Sequence, residues 1–250
     1  MAEAKDLVVR LIDSKTSHEF VRRTHYSGKT KSNSNFHFGV FLNGRLEGVL
    51  QFGPSNDKAK MIGLVRGTQW HEFIELNRMA FSDALPRNSE SRALAICFRI
   101  LRKHTPQIKW IISFADATQC GDGTIYRASG FFLTAIKEND ALVRLPSGEV
   151  IHKIVLHSNP TMKRPELGGR SFYDVSGGRY SWKAYLEATG AETLAGFQLR
   201  YIYFLDPSWR DRLVPDVLPF SEIDRIGAGL YKGERISRAE RSVSNQAREA

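Results

Sequence analysis

The run IKWIISFAD, residues 108–116, constrains the fold of this chain most strongly. Its apolar residues are continuous rather than alternating, which is typical of a parallel strand buried on both faces. The next residues predict a Gly-rich bend, a short helix that carries Tyr126, and a Gly-Phe-Phe turn into another strand. Open α/β sheets bind ligands at the carboxyl ends of their strands. The order therefore predicts a site around Asp116 and Tyr126.

Local signals predict the elements that surround this strand. FHFGVFL and RLEGVLQFG flank Asn43-Gly44, a dipeptide that accepts the positive φ angles of a type I′ turn, so they predict a β-hairpin. Residues 88–104 predict a helix, because apolar residues recur at helical spacing and Pro106 follows. Further strands are predicted in LVVRLID, WHEFIELNRMAFSD, FFLTAIK and VIHKIVLH. The predicted fold class is α/β (α+β), with a mixed central sheet flanked by helices.

The composition shifts after Ser158 to Gly, Pro, Arg and aromatic residues without a clear period. The sequence therefore predicts a core at 1–157 and an irregular C-terminal extension at 158–250 that packs on it. The charged end, 236–250, is predicted to be a frayed tail. RYIYFLDP is a candidate strand within the extension. Aromatic residues between Tyr173 and Tyr185 alternate with cations, and either stacking on a base or ordinary packing would explain them.

The charge balance favours a polyanionic partner. The 250 residues include 36 Lys and Arg against 27 Asp and Glu, a formal net charge of +9. Such a surface attracts nucleic acid or a phosphorylated cofactor. No apolar run approaches the roughly 20 residues of a membrane span, and the start lacks the apolar region of a signal peptide. With two cysteines and no disulfide framework, we expect a cytoplasmic protein.

The order of a strand, a Ser-rich turn, a helix, a strand and then YRASGFF resembles the GNAT acyltransferase core. The resemblance implies a GNAT-like fold in which the amino end of the helix holds the donor's pyrophosphate, where free amides and the helix dipole favour anions. The turn here reads LPRNSESRAL and lacks the family's usual Gly-x-Gly pattern, which weakens the inference of coenzyme A. Arg78 and Arg92 would compensate, since guanidinium groups bind phosphate in a fork.

Several motifs together resemble the Mom family of DNA-modification proteins of Mu-like phages over nearly the whole chain: THYSG, ELNRMAFSD, SFAD, YRASGFF and LPFSEIDRIGAGLYKGE. The resemblance implies an enzyme that installs a carbamoylmethyl (acetamido) group on adenine N6 in double-stranded DNA and so protects phage DNA from host restriction. It also implies iron, with His25, Tyr26, Asp116 and Tyr126 as ligands. Arg78 and Ser91 are the implied donor-binding residues.

The chemistry of these residue types leaves two interpretations open. One imidazole, one carboxylate and two phenols form a hard N/O set that suits iron better than structural zinc. Alternatively, Tyr126 is a general acid toward a leaving thiolate, while His25 and Tyr26 contact DNA. Asp116 also has a simpler alternative as the N-cap of the next helix. Adenine N6 lies inside the duplex, so either mechanism requires an extruded base.

The donor also stays open between acetyl-CoA and glycyl-tRNA. A glycyl group has the atoms of carbamoylmethyl with the connectivity reversed, whereas an acetyl group lacks the nitrogen. Two other functions remain as alternatives: an ordinary GNAT N-acetyltransferase of a small amine or protein, and a non-catalytic DNA-binding module. Double-stranded DNA is the expected macromolecular partner, and a homodimer stays open.

Overall fold

The computed structural model describes residues 3–25, 27–117, 121–231 and 234–235. Two compact units make up the chain. Unit 1 comprises Met1–Ala115, Gly123–Ala135 and Leu199–Glu222, and unit 2 comprises Asp116–Asp122, Ile136–Gln198 and Ile223–Ala250. The predicted boundary at residue 157 lies inside unit 2, so this division differs from the predicted core and extension. The predicted tail, 236–250, lies outside the described residues.

The described residues form both helices and strands. The α-helices are α1 (Ser14–Thr24), α2 (Lys58–Met61), α3 (Ser89–His104), α4 (Thr124–Ala128), α5 (Lys153–Ser158), α6 (Phe172–Ser176), α7 (Trp182–Thr189) and α8 (Ser221–Arg225). The strands are β1 (Val8–Leu11), β2 (Phe36–Leu42), β3 (Arg45–Gly53), β4 (Phe73–Phe81), β5 (Trp110–Asp116), β6 (Phe132–Glu138), β7 (Leu142–Arg144), β8 (Val150–His152), β9 (Glu192–Thr193), β10 (Phe197–Phe204), β11 (Leu230–Tyr231) and β12 (Glu234–Arg235). Short 3-10 turns lie at Ala4–Asp6, Ile62–Leu64, Pro165–Leu167 and Pro207–Arg212.

The main sheet is mixed, with the strand order β1-β2-β3-β4-β5-β10-β6. Strands β1 to β4 pair antiparallel, and β4 pairs parallel with β5. The predicted mixed α/β sheet with flanking helices is therefore confirmed. The hairpin is confirmed as well, since β2 and β3 join at Asn43 and Gly44, whose φ angles are 51° and 80°.

Aromatic packing fixes the parallel pair in the core of unit 1. Trp110 of β5 stacks on Phe73 of β4, with ring centroids 4.3 Å apart and planes 5° apart. The Trp110 Nε1–H donates to Thr68 Oγ1 at 3.1 Å, so the indole nitrogen stays paired although the side chain is fully buried. Burying a side chain of this size contributes roughly 1.5–3 kcal/mol. The predicted helix at 88–104 is confirmed as α3, and its buried residues include Leu94, Cys97, Phe98 and Leu101.

Strand β10 lies between β5 and β6 in the main sheet. The sequence predicted a strand at this position of the chain but assigned it to the extension. Its pairing is non-local, because residues 139–196 separate it from β6 in the sequence. Hydrophobic periodicity identifies a strand, but it does not identify the strand's neighbours in a sheet.

The segment VIHKIVLH was predicted to be one strand, and this prediction is wrong. Only Val150–His152 is extended, as β8, and it pairs with β7 in a separate sheet with the order β8-β7-β9. The chain turns into α5 because the His152 side chain caps that helix, with Nδ1 accepting the Ile154 N–H at 3.0 Å. A short apolar run fits a strand and a helix equally well, and the cap decides between them.

Unit 2 has its own apolar core, which includes the fully buried Phe172 and Tyr185. Trp182 stacks on Tyr185, with ring centroids 5.1 Å apart. Tyr180, by contrast, is 55% exposed. Some of the aromatic residues in this region therefore pack a core that the sequence did not predict, while Tyr180 lies at the surface. No helix in the described part of the chain is long and apolar enough to cross a membrane.

The position of β10 predicts that a fragment ending at residue 157 cannot fold. Without β10, β5 and β6 would lose the strand between them and expose unpaired backbone groups. We expect fragment 1–157 to lack cooperative unfolding, as measured by circular dichroism against denaturant. Co-expression of fragment 158–250 supplies β10 in trans and is the control. A fragment 1–157 with a sharp, native-like unfolding transition would contradict this.

Candidate functional site

The parallel strands β4 and β5 are paired along only part of their length. The ladder joins residues 73–75 to residues 110–112 and then stops, although both strands continue. The Ser113 hydroxyl donates to the Leu76 carbonyl at 3.4 Å beyond that point. Where a ladder stops, backbone amide and carbonyl groups are left for other partners. The unpaired parts of β4 and β5 lie at the carboxyl ends of the two strands. This is the edge at which α/β sheets bind ligands.

Asp116 is the last residue of β5 and the first residue of unit 2. Helix α4 begins at Thr124, and its N-cap residue is Gly123. The role of Asp116 as a cap of this helix stays a prediction. The convergence of Asp116 with the predicted site residues of unit 1 stays a prediction.

Tyr126 lies in α4, and its ring position is set by other aromatic rings of unit 1. The side chain is 9% exposed, and its ring centroid lies 5.0 Å from that of Tyr201 and 5.2 Å from that of Phe131. Tyr201 belongs to β10 and also stacks on Phe220, 6.5 Å away. The Arg127 guanidinium lies over the Phe220 ring at 5.1 Å. A short helix of five residues is thereby fixed by packing rather than by its own hydrogen bonds.

A continuous chain of hydrogen bonds links His25 to Arg78. Ser27 Oγ lies 2.8 Å from His25 Nδ1, and the Ser27 N–H donates to the same nitrogen at 3.2 Å. The Lys29 N–H donates to Ser27 Oγ at 3.3 Å. Arg78 Nε then donates to the Lys29 carbonyl at 3.0 Å. These contacts join the imidazole of His25 and the guanidinium of Arg78, a residue of β4, to the same loop.

His25 is neutral at physiological pH. Burial and, to a smaller extent, the positive charge of Arg78 lower its pKa from 6.5 to about 4. A neutral imidazole is the form that binds metals and accepts protons. The Ser27 N–H donates to Nδ1, so the neutral ring carries its proton on Nε2. A metal at Nδ1 would replace this hydrogen bond, and a metal at Nε2 would require the proton to move to Nδ1.

Polar side chains of the sheet hold the segment after His25 in place. Thr30 and the fully buried Gln51 of β3 are hydrogen-bonded at 3.1 Å. Ser34 Oγ donates to Asn77 Oδ1 at 2.9 Å. The loop also runs directly over Gly53, where an added Cβ would lie 2.7 Å from the Ser34 Cα. Strand β3 therefore requires glycine at this point, and the cations of the loop have defined positions.

A second feature is a cavity of about 520 Å³ beside α3 in unit 1. The predicted donor residues Ser91 and Arg92 line it together, at the amino end of a 16-residue helix. Its described lining includes three cations, Lys5, Arg92 and Arg102, and no acidic residue. The buried Ser129 hydroxyl also belongs to the lining and lacks a hydrogen-bond partner among the described residues. This combination suits a phosphorylated ligand.

The structure thus separates the predicted donor residues. Arg78 is hydrogen-bonded in the loop of His25 and does not belong to the lining of this cavity. Sequence reasoning missed Lys5, Arg102 and Ser27, each of which contacts a predicted residue or lines the same cavity. Only the local spacing of His25 and Ser27 offered a sequence signal, because the cavity brings together residues from distant parts of the chain.

The structure describes only part of the proposed iron set. Tyr26 lies outside the described residues. In the described ranges, no group of three or more His, Cys, Asp or Glu side chains is placed to hold a metal ion. The predicted ligand set contains one His, one Asp and two tyrosines. It therefore has too few His, Cys, Asp or Glu residues to count as such a group, and the absence of one does not test it. The donor chemistry of the neutral His25 fits the proposal.

Comparison with known proteins gives two kinds of similarity. The model of the Mom protein family matches residues 6–222. A protein of Escherichia phage Mu named "Methylcarbamoylase mom" is 33% identical over 213 residues, which cover 84% of this chain and 80% of that protein.

Among solved structures, the ribosomal-protein-S18-alanine N-acetyltransferase from Escherichia coli has a TM-score of 0.41 and 11% identity, over 80% of this chain and 94% of that chain. An N-acetyltransferase from Staphylococcus aureus Mu50 has a TM-score of 0.44 and 9% identity, over 80% of this chain and 99% of that chain.

The electrostatics of His25 predict its titration. We expect an NMR titration of metal-free protein to give His25 a pKa of about 4. Arg78→Gln should raise this pKa but leave it below 6.5, because burial is the larger cause. Between pH 6.5 and 4 only the unfolded chain takes up this proton, so the His25 contribution to stability is lost as the pH falls through that window. Arg99→Gln removes an exposed charge on α3 and is the control. A wild-type value near 6.5 would show that the imidazole is solvated.

Proposed function

The chain belongs to the Mom protein family, and from this we propose that it transfers a carbamoylmethyl group to N6 of adenine in double-stranded DNA. The observation that carries the proposal is the 33% identity with the phage Mu methylcarbamoylase over 84% of the chain. The net charge of +9 supports a polyanionic substrate. Modified adenine would protect phage DNA from restriction in the host cell.

Adenine must leave the base stack before it can react. Extrusion costs a few kcal/mol, which contacts to the base and the phosphates must offset. N6 is a poor nucleophile because its lone pair is delocalised into the ring, and it loses a proton when it bonds to the donor carbon. We assign the acceptance of this proton to the Asp116 carboxylate and the protonation of the leaving group to the Tyr126 phenol. The packing of Tyr126 against Tyr201 and Phe131 supports this role, because it limits the phenol to one orientation.

Iron binding is the other interpretation of the same residues, with His25, Tyr26, Asp116 and Tyr126 as its ligands, in place of the proton-transfer roles of Asp116 and Tyr126. When bound, iron would supply Lewis-acid polarisation of the donor carbonyl. The support from the described residues is the neutral His25 imidazole, the protonation state that binds metals. The alternative, in which His25 and Tyr26 contact the DNA, uses the same loop position and needs no metal.

The cavity beside α3 is the proposed donor site. Its three cations and its helix amino end suit the phosphates of either acetyl-CoA or an aminoacyl-tRNA. An acetyl group would bond N6 to a carbonyl carbon and supply no nitrogen. A glycyl group carries every atom of the product, so we favour an activated glycyl donor such as glycyl-tRNA, with a rearrangement that reverses the connectivity after transfer.

Mass spectrometry of nucleosides from cells that express the chain tests the reaction. We expect an adenine derivative heavier by one carbamoylmethyl group. Asp116→Ala and Tyr126→Phe should abolish it while DNA binding survives, because each removes one proton-transfer group. Asp57→Asn and Tyr180→Phe change the same chemical groups at exposed positions and should leave it unchanged. An N-acetyladenine would favour the ordinary GNAT alternative, and salt-sensitive binding without any new base would favour the DNA-binding module.

Labelled glycine tests the donor. We expect the label to reach modified adenine in cells that express the wild-type chain. Arg92→Gln should weaken donor binding about tenfold, since one hydrogen bond to a charged group contributes roughly 1.5–3 kcal/mol. Arg99→Gln, on the same helix but outside the cavity lining, is the matched control. Modified adenine that never carries the label would exclude a glycyl donor.

A further inference from the structure

Arg78 lies close enough to both His25 and Lys31 for its charge to act on them, and neither cation forms an ion pair among the described residues. Lys31 and Arg78 are both partly buried. In the described part of the chain, no carboxylate oxygen lies within 4.0 Å of either cationic group. Glu75, a buried residue of β4, is the acid that acts on Lys31 from a longer distance. Unpaired cations in partly buried positions are costly unless an anion binds to them.

Both groups are held in fixed positions by neutral partners. Arg78 donates through Nε to the Lys29 carbonyl at 3.0 Å and through a terminal nitrogen to the Asn77 carbonyl at 2.7 Å. Lys31 Nζ donates to Asn56 Oδ1. Burial lowers the pKa of Lys31, which shows that part of its hydration has already been removed in the folded chain. An anion that binds here meets preorganised donors and a reduced desolvation cost.

We propose that Lys31 and Arg78 form a phosphate-binding subsite for the DNA backbone beside the target adenine. The subsite is separate from the donor cavity, because Arg78 does not line that cavity and the cavity has three cations of its own. This inference rests on the proposed function, since it assumes that DNA is the substrate. It reassigns Arg78, for which the sequence had predicted a role in donor binding.

The surroundings favour a polyanion over a single small anion. Arg22, Arg23 and Lys29 are exposed cations on the same helix end and loop. A DNA strand presents phosphates at regular intervals, so several cations along one segment can be neutralised together. The neutral His25 adds no charge and can contact a base or sugar between phosphates. Fixing a phosphate next to an extruded nucleotide would orient that nucleotide toward the strand ends of β4 and β5.

The salt dependence of duplex binding by the full chain tests the subsite. Lys31→Gln should weaken binding about tenfold, the effect of one lost hydrogen bond to a charged group. It should also lower the slope of log affinity against log salt by about 0.9, the contribution of one phosphate. Lys31→Arg keeps the charge and should restore most of both. Lys103→Gln, an exposed cation in the last turn of α3, is the control and should change neither.

A chemically neutral linkage then locates the contact. In duplexes with one methylphosphonate at successive positions, wild-type binding should weaken most at a linkage next to the target adenine. Lys31→Gln should show no further loss at that linkage. An unchanged slope and affinity for Lys31→Gln, or the same further loss as wild type, would overturn the subsite. A wild-type chain that binds duplex as described but forms no modified adenine would contradict the proposed function and leave the subsite standing.

Discussion

Hydrogen bonding by β10 holds together the half of the main sheet that carries the proposed site. The strand lies between β5 and β6, so the strand that ends at Asp116 and the strand that follows α4 both depend on residues far along the chain. β10 also contributes Tyr201, which packs against the ring of Tyr126. A helix as short as α4 is marginal in isolation. One strand therefore fixes the sheet and, through a single aromatic contact, the phenol of the proposed site.

A polar network within unit 1 holds the loop after His25 in place. Gln51 is fully buried and is hydrogen-bonded to both Ser17 and Thr30, so α1, β3 and the loop after His25 are joined at one residue. A buried amide is stable only when its groups are paired, which restricts the loop to one path. Along that path, Arg78 donates to the loop backbone, and burial together with the Arg78 charge lowers the pKa of His25. The described cations thus include two sets with defined positions. Lys31 and Arg78 form one set, and the cations that line the proposed donor cavity form the other.

Local patterns carried much of the prediction. The turn at Asn43-Gly44, the helix α3 and the strand β5 depend on neighbouring residues, and all three are confirmed. The position of β10 in the sheet and the division into units depend on pairing between strands that lie far apart in the sequence. Local hydrophobic periodicity does not encode such pairing. The sequence does not distinguish Lys31 from neighbouring cations, because only its burial and its spatial neighbours do so. The roles of Asp116 and Tyr126 come from a resemblance, and the structure adds the packing that orients Tyr126.

The central claim is that one extruded adenine meets residues of both sequence regions, the loop of His25 and the segment from Asp116 to Tyr126. A crystal structure of the full chain on a duplex tests it most directly. The account predicts that adenine N6 lies within hydrogen-bond distance of the Asp116 carboxylate, while the adjacent phosphate contacts Lys31 and Arg78. An adenine that stays in the base stack, or a DNA path that leaves the His25 loop and Asp116 on opposite sides of the protein, would contradict it.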